Sequence, residues 1–143
     1  MVAERLRQPD APFSLVITGE AQGYQRALEV IVGPQWLRTR RVQTNQELLA
    51  AIQAGQADAA VLDEDAPLGS SDVLSTLRLI RRLNERLPVV IVARRRDQRM
   101  LQDALNLTAF SVVGKPLQLE ELLRNIRRMM IRLEKMLREG PHE

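Results

Sequence analysis

The sequence Ala59-Ala60-Val61-Leu62-Asp63-Glu64-Asp65-Ala66-Pro67 decides the fold class of this chain. Four consecutive apolar residues followed by an aspartate predict a strand that is buried on both faces and ends at Asp63. The acidic residues and the proline after it predict a loop. Similar apolar runs predict four further strands, at residues 13–18, 36–42, 88–93 and 109–114.

Amphipathic patterns between these runs predict five helices, at residues 20–32, 44–54, 70–84, 97–107 and 119–138. Thr44 and Glu47 form a capping box at the start of the second helix, and Ser70 or Ser71 is expected to cap the third. Strands that alternate with helices indicate an α/β fold, a doubly wound five-stranded parallel sheet of the flavodoxin-like type with strand order 2-1-3-4-5. Charged residues in the second run favour the edge of the sheet for that strand.

The length of 143 residues fits one domain with one core. We expect this domain at residues 13–132, with an N-terminal extension at 1–12. Residues 133–143 are expected to form an extension of the C-terminal helix and a tail.

The composition excludes several kinds of site. Cysteine is absent and His142 is the only histidine, which excludes disulfides, zinc–thiolate sites and most histidine-based catalysis. The sequence has no glycine-rich phosphate loop and no nucleophile–histidine arrangement, so we expect no enzyme activity. It has no apolar run long enough to span a bilayer and no signal-peptide core, so the expected location is the cytoplasm, without membrane contact.

The basic residues permit a nucleic-acid partner. The net charge is +3, and all basic residues except Lys115 and Lys135 are arginine. Solvated arginines on the surface are the plainer interpretation, and an aromatic content of 3% leaves few side chains to stack on bases. A basic nucleic-acid-binding domain is therefore kept as an alternative hypothesis.

Two motifs follow predicted strands. Leu62-Asp63-Glu64-Asp65-Ala66-Pro67, after the third strand, has an aspartate, three residues and a proline, and it resembles the signature of receiver domains in two-component response regulators. Val112-Val113-Gly114-Lys115-Pro116 resembles the lysine–proline motif after the fifth strand. A helix, a strand and another helix separate the two motifs, as in the family. The resemblance covers residues 13–132 and implies a CheY-like fold.

This resemblance implies roles for the residues at the strand ends. Asp63 stands at the phosphoacceptor position, which takes a phosphoryl group from a histidine kinase, and Lys115 stands where the family's lysine holds a phosphate oxygen. Mg²⁺, if it binds, would be held by Asp63 and the backbone carbonyl of Asp65. Thr18-Gly19 replaces the family's acidic pair, and Glu20 comes one place late. We therefore expect no resident cofactor and only weak Mg²⁺ binding.

The two switch positions of the family are also altered. Ala93 replaces a Ser or Thr at the end of the fourth strand, and Val112 replaces an aromatic residue on the fifth. Without this hydroxyl and this ring, we expect the domain to populate one state rather than two.

The acidic pocket needs counter-charge, because Asp63, Glu64 and Asp65 follow one another directly. We hypothesise that Arg94 pairs with Asp63 or Asp65 and takes the place of the metal ion. The alternative is that Arg94 belongs to a solvated basic loop. Asp63 beside Lys115 is likewise either a working phosphoacceptor or only half of an ion pair that closes the top of the sheet.

The predicted function is that of an atypical receiver-type signalling domain of a two-component phosphorelay, acting through contact with a histidine kinase or an output protein. Two versions stay open. In one, Asp63 accepts phosphate. In the other, the chain is a pseudo-receiver, which keeps the fold and its docking surface without phosphotransfer.

The last helix carries an apolar heptad pattern, formed by Leu119, Leu122, Ile126, Met129, Leu133 and Met136. We expect its first half to pack on the sheet and its second half to run past the sheet. Met129, Leu133, Met136 and Leu137 are predicted to form the seam of a homodimer, with a joint to an output module as the alternative.

Overall fold

The computed structural model describes residues 11–66, 68–69 and 72–139. Its single sheet consists of five parallel strands, in the order β2-β1-β3-β4-β5. The strands are β1 (Phe13–Ile17), β2 (Leu37–Arg41), β3 (Ala59–Asp63), β4 (Val89–Ala93) and β5 (Ser111–Gly114). The predicted fold class and strand order are confirmed, and the arginine-rich β2 lies at an edge, where charge opposes pairing with another chain.

Five α-helices connect and follow the strands. They are α1 (Gln25–Val32), α2 (Asn45–Gln53), α3 (Val73–Leu83), α4 (Gln98–Asn106) and α5 (Leu119–Glu139). The prediction of one α-helix from Glu20 is wrong at its start, because Gly19–Tyr24 forms a 3₁₀ helix before α1. This 3₁₀ helix lies at the carboxyl end of the sheet.

The predicted N-cap of α2 is confirmed, and the predicted N-cap of α3 is wrong. Thr44 caps α2 as predicted, since its hydroxyl accepts the Glu47 amide at 3.0 Å. The predicted serine cap of α3 is wrong, because the carboxylate of Asp72 accepts the Ser75 amide at 2.8 Å. Ser70, Ser71 and Pro67 lie outside the described residues.

The core has two layers because side chains alternate between the faces of the sheet. Leu28 of α1 and Ile126 of α5 pack on the face that includes Ile17. Leu77 of α3 packs on the opposite face, together with Leu62. β3 and β4 are buried along their whole length, as the continuous apolar runs predicted. No described helix is both long and apolar enough to cross a membrane.

The predicted seam on α5 needs a correction. Met129 is fully buried in the core of its own domain, and Leu133 packs partly against the same cluster. The heptad face therefore stays against the sheet as far as Leu133, so that Met129 is not free to form a seam and Leu133 is only partly exposed. Met136 and Leu137 are exposed, as predicted.

Arg81 ties three segments together at the opposite end of the sheet. Its guanidinium donates hydrogen bonds to the carbonyls of Leu107 and Leu87 at 2.8 Å, Thr108 at 3.1 Å and Asn84 at 3.2 Å. Thr108 has a φ of 56°, an uncommon conformation for a β-branched residue. Arg81 thus supports the end of α3, the entry to β4 and a strained loop after α4.

We expect Arg81→Ala to lower the free energy of unfolding by about 2–3 kcal/mol, because four carbonyls lose a charged donor. Urea denaturation measures this loss. Arg82→Ala is the matched control, since Arg82 is exposed on the next position of α3 and should change stability by no more than about 0.5 kcal/mol. Equal effects of the two substitutions would contradict this role of Arg81.

Candidate functional site

A cleft of about 460 Å³ lies at the carboxyl ends of the central strands. Its lining includes Gly19, Glu20, Asp63, Asp65 and Lys115, so the structure brings together the residues that the sequence placed at the strand ends. Ligand sites of doubly wound sheets lie at this edge.

The carboxylate of Asp63 sits at the bottom of this cleft with both oxygens occupied. Its Oδ1 lies 2.6 Å from Nζ of Lys115 and accepts the Asp65 amide at 2.9 Å. Its Oδ2 accepts the Glu20 amide at 2.8 Å. The side chain of Asp63 is only 1% exposed. Asp63 is therefore a buried carboxylate that is stabilised by one cation and two backbone amides.

Thr18 holds the strand on which Asp63 lies. Its hydroxyl donates to the carbonyl of Val61 at 3.0 Å and accepts the Asp63 amide at 2.9 Å. The side chain is fully buried and both hydrogen bonds link the end of β1 to β3. Thr18 thus has a structural role where the receiver pattern has an acidic residue.

Lys115 supplies the positive charge of the cleft. Besides Asp63, its ammonium contacts Oδ2 of Asp65 at 2.8 Å and Oε2 of Glu20 at 3.5 Å. Burial alone would lower the pKa of Lys115, but its hydrogen bonds to Asp63 and Asp65 outweigh burial and raise that pKa well above its usual range. The hydrogen bond from Lys115 is also the main reason that the pKa of Asp65 lies below its usual value. One ammonium therefore contacts three carboxylates.

Glu20 reaches this cluster because the backbone turns at Gly19. Gly19 has a φ of +61°, and a Cβ atom there would lie 2.3 Å from Cβ of Asp63. Only glycine can occupy this position without strain or a clash. The Glu20 carboxylate then bridges Lys115 and the Leu117 amide, which it accepts at 2.8 Å, and the Tyr24 hydroxyl donates to the Leu117 carbonyl at 2.8 Å.

No pattern in the sequence indicated that Leu117 and Tyr24 belong to the site. The glycine before Glu20 was the one available signal that the chain departs from a regular helix at this place. The shifted backbone that Glu20 needs in order to approach the site is present.

Arg94 pairs with Asp65, as hypothesised, but it does not enter the pocket. Its Nη2 lies 2.9 Å from Oδ2 of Asp65, and its backbone amide donates to the carboxylate of Glu64. The side chain is 68% exposed, and in the described part of the chain it makes no contact with Asp63. Lys115, which is 12% exposed, holds the inner position that the hypothesis assigned to Arg94.

Comparison with known proteins gives the family. Residues 15–127 match the family model of the response regulator receiver domain. The chain belongs to this family. No curated protein matches the chain.

Solved receiver domains share this fold at low sequence identity. A CheY-like receiver domain protein from Methanospirillum hungatei JF-1 is 18% identical, with a TM-score of 0.71 and coverage of 87% of this chain and 98% of that one. A signal receiver domain from Vibrio parahaemolyticus is 13% identical, with a TM-score of 0.75 and coverage of 92% and 99%. A two-component response regulator from Clostridium difficile is 18% identical, with a TM-score of 0.68 and coverage of 85% and 98%.

The switch positions of this receiver domain carry no polar group. Ala93 is fully buried at the end of β4, and Val112 is partly buried on β5. Beside them, Arg96 lies over Gly114, where a Cβ atom would be 3.1 Å from a guanidinium nitrogen. Neither the side chain of Ala93 nor that of Val112 can donate a hydrogen bond to a group bound at Asp63.

The donor set of this receiver domain does not fit Mg²⁺. The ion needs several oxygen ligands in an octahedron, but the ammonium of Lys115 already lies between Glu20, Asp63 and Asp65. Thr18 and Gly19 offer no carboxylate. Within the described ranges, no group of three or more carboxylate, imidazole or thiolate side chains is arranged to hold a metal ion.

We expect Arg94→Ala to change the free energy of unfolding by no more than about 0.5 kcal/mol, because ion pairs this exposed are screened by water. Chemical denaturation measures the change. Arg95→Ala, an exposed neighbour in the same loop, is the control. A loss well beyond that of Arg95→Ala would mean that Arg94 does take the place of a metal ion in the pocket.

Proposed function

We propose that this receiver domain is a pseudo-receiver, which signals through protein contact and does not accept a phosphoryl group on Asp63. The observation that supports the proposal is the burial of the Asp63 carboxylate and the contacts of its two oxygens. It is buried, and each of its oxygens already accepts a hydrogen bond or forms an ion pair.

Phosphoryl transfer needs an oxygen that can approach phosphorus in line with the leaving group. Oδ1 is held by Lys115 and the Asp65 amide, and Oδ2 is held by the Glu20 amide. The backbone at Gly19 covers the same carboxylate from the side of β1. A phosphodonor that enters the cleft would have to break one of these contacts before it could react with Asp63.

Charge neutralisation is the second requirement of the reaction. The donor set does not fit Mg²⁺, and the ammonium of Lys115 is shared among three carboxylates. We therefore propose a chain without a metal cofactor and without catalytic activity of its own. A cleft that keeps one arrangement would suit a protein that presents a constant surface to its partner.

The partner is proposed to be a protein of the same two-component system, a histidine kinase or an output protein, because the family acts in such systems. A second copy of the chain is part of the proposal, since exposed apolar side chains remain on the last turns of α5. The cytoplasmic location stays a prediction from the sequence, and nucleic-acid binding stays only the alternative hypothesis.

Incubation with acetyl phosphate and MgCl₂, followed by intact mass spectrometry, tests the proposal. We expect no species heavier by one phosphoryl group. Asp63→Asn is the control, because it removes the acceptor and identifies any adduct formed elsewhere on the chain. An adduct on the wild-type chain that Asp63→Asn lacks would contradict the proposed function.

A further inference from the structure

The end of α5 lines an apolar groove of about 580 Å³ on the surface of the domain. Ile131 and Leu137 form part of one wall, and Ile31 of α1 and Trp36 form part of the other. All four side chains are about half exposed or more. Large apolar side chains rarely collect in this way on a surface that stays in contact with water.

The stripe of α5 that faces this groove is Arg127, Met130, Ile131, Leu133, Glu134 and Leu137. Each of these residues lies three or four positions from another member, which puts them on one side of the helix. This stripe overlaps the predicted seam at Leu133 and Leu137. It begins with a cation and carries an anion seven residues later, with the apolar pair between them.

Arg127 and Glu134 are both exposed. They lie roughly 10 Å apart along the helix axis, too far to pair with each other. In the described residues, no ion pair or hydrogen bond joins either side chain to another group. The two charges on the rim of the groove are thus available to a partner.

The stripe is complementary to itself in one orientation. A second α5 that runs antiparallel, with a two-fold axis between Met130 and Ile131, brings Arg127 opposite the partner's Glu134 and the partner's Arg127 opposite Glu134. Met130 then lies opposite the partner's Ile131. A parallel arrangement would instead bring Arg127 against the partner's Arg127, and like charges at an interface oppose association.

We propose that two copies of this chain pair antiparallel through the stripe of α5, each helix lying in the groove of the other. Such an interface is isologous, the usual form for a homodimer. Trp36 and Ile31 contact the partner's helix from the second wall, and a tryptophan of this kind is a frequent hot spot. This inference rests on the proposed function in one respect: both name a second copy of the chain as a protein that contacts this domain.

Charge reversal tests the pairing. Arg127→Glu and Glu134→Arg should each weaken self-association at least about tenfold, because each places two like-charged pairs across the axis. An equimolar mixture of the two variants should form a heterodimer, in which both facing pairs have opposite charges. Sedimentation velocity measures the dissociation constants, and circular dichroism checks that each variant is folded.

Arg128→Glu is the matched control. Arg128 is exposed and next in sequence to Arg127 but lies off the stripe, so its reversal should leave the dissociation constant within about twofold. A wild-type chain that is monomeric at high micromolar concentration would overturn the proposal. So would a mixture of the two reversed variants that associates no better than either alone.

A dimer that forms only after removal of residues 1–10 would also overturn it, because the chain itself would then occupy the groove. Intact mass spectrometry measures phosphorylation of Asp63 independently of self-association. A phosphorylated dimer would refute the proposed function and support this inference. An unphosphorylated monomer would support the proposed function and refute this inference.

Discussion

Lys115→Met is expected to lower the free energy of unfolding by about 3–5 kcal/mol, because it leaves a buried carboxylate without its cation. Asp63 is 1% exposed and has Lys115 as its ion-pair partner at 2.6 Å. Methionine keeps much of the length of the lysine side chain, so the loss reports the charge rather than a cavity. Thermal or urea unfolding at neutral pH measures it.

Lys135→Met is the control for this substitution, since Lys135 is the other lysine of the chain and is exposed on α5. We expect no measurable loss from it. The double variant Asp63→Asn/Lys115→Met should be more stable than Lys115→Met alone, because the stranded charge is gone. A Lys115→Met chain as stable as the wild type would show that the cleft does not depend on this cation.

The pKa directions set the pH range of this effect. Because the pKa of Lys115 is raised, its contribution is complete below the pKa of an unfolded lysine and is lost only as the pH rises through the raised value. Because the pKa of Asp65 is lowered, its contribution is present above the ordinary value of 3.8 and is lost as the pH falls through the lowered one. Lys115→Met should therefore show its full effect across the neutral range.

Gly19→Ala should lower the free energy of unfolding by about 2–5 kcal/mol. A left-handed backbone conformation costs a non-glycine residue about 1–2 kcal/mol, and forcing an extra methyl into a packed site costs about 1–3 kcal/mol. The methyl group would lie 2.3 Å from Cβ of Asp63, so the 3₁₀ helix or the carboxylate must move. Urea denaturation gives the size of the loss.

Gly23→Ala is the matched control, because it lies in the same 3₁₀ helix and a Cβ there meets nothing within 4 Å. It should be neutral or stabilise the domain by up to about 1 kcal/mol. If Gly19→Ala were as harmless as Gly23→Ala, the close approach of Gly19 to Asp63 would not hold in solution. The occlusion of the acceptor, on which the proposed function depends, would then fail as well.

Much of the fold could be predicted because its signals are local or periodic. The apolar runs of β3 and β4 indicated buried parallel strands, and their alternation with amphipathic helices indicated the strand order. The meeting of Asp63 and Lys115 followed from the same reasoning, since both lie just after parallel strands and such strand ends share one edge of the sheet.

The interior of the site could not be predicted in the same way. The reach of Glu20 depends on one backbone angle at Gly19, and residue spacing does not encode that angle. Lys115 and Arg94 were both plausible cations for the acidic pocket, and only geometry shows that the buried position belongs to Lys115. Met129 has the spacing of a seam residue, but a heptad position that packs on a sheet looks the same in sequence as one that packs on another helix.

The turn at Gly19 also bears on whether a metal site could be engineered into this cleft. An aspartate at position 19 would carry the same Cβ clash as alanine, and Thr18→Asp would remove the hydroxyl that links β1 to β3. Each substitution taken alone is therefore expected to lower the free energy of unfolding. An engineered acidic pair at positions 18 and 19 would require a new path for the turn and a replacement for the two hydrogen bonds of Thr18.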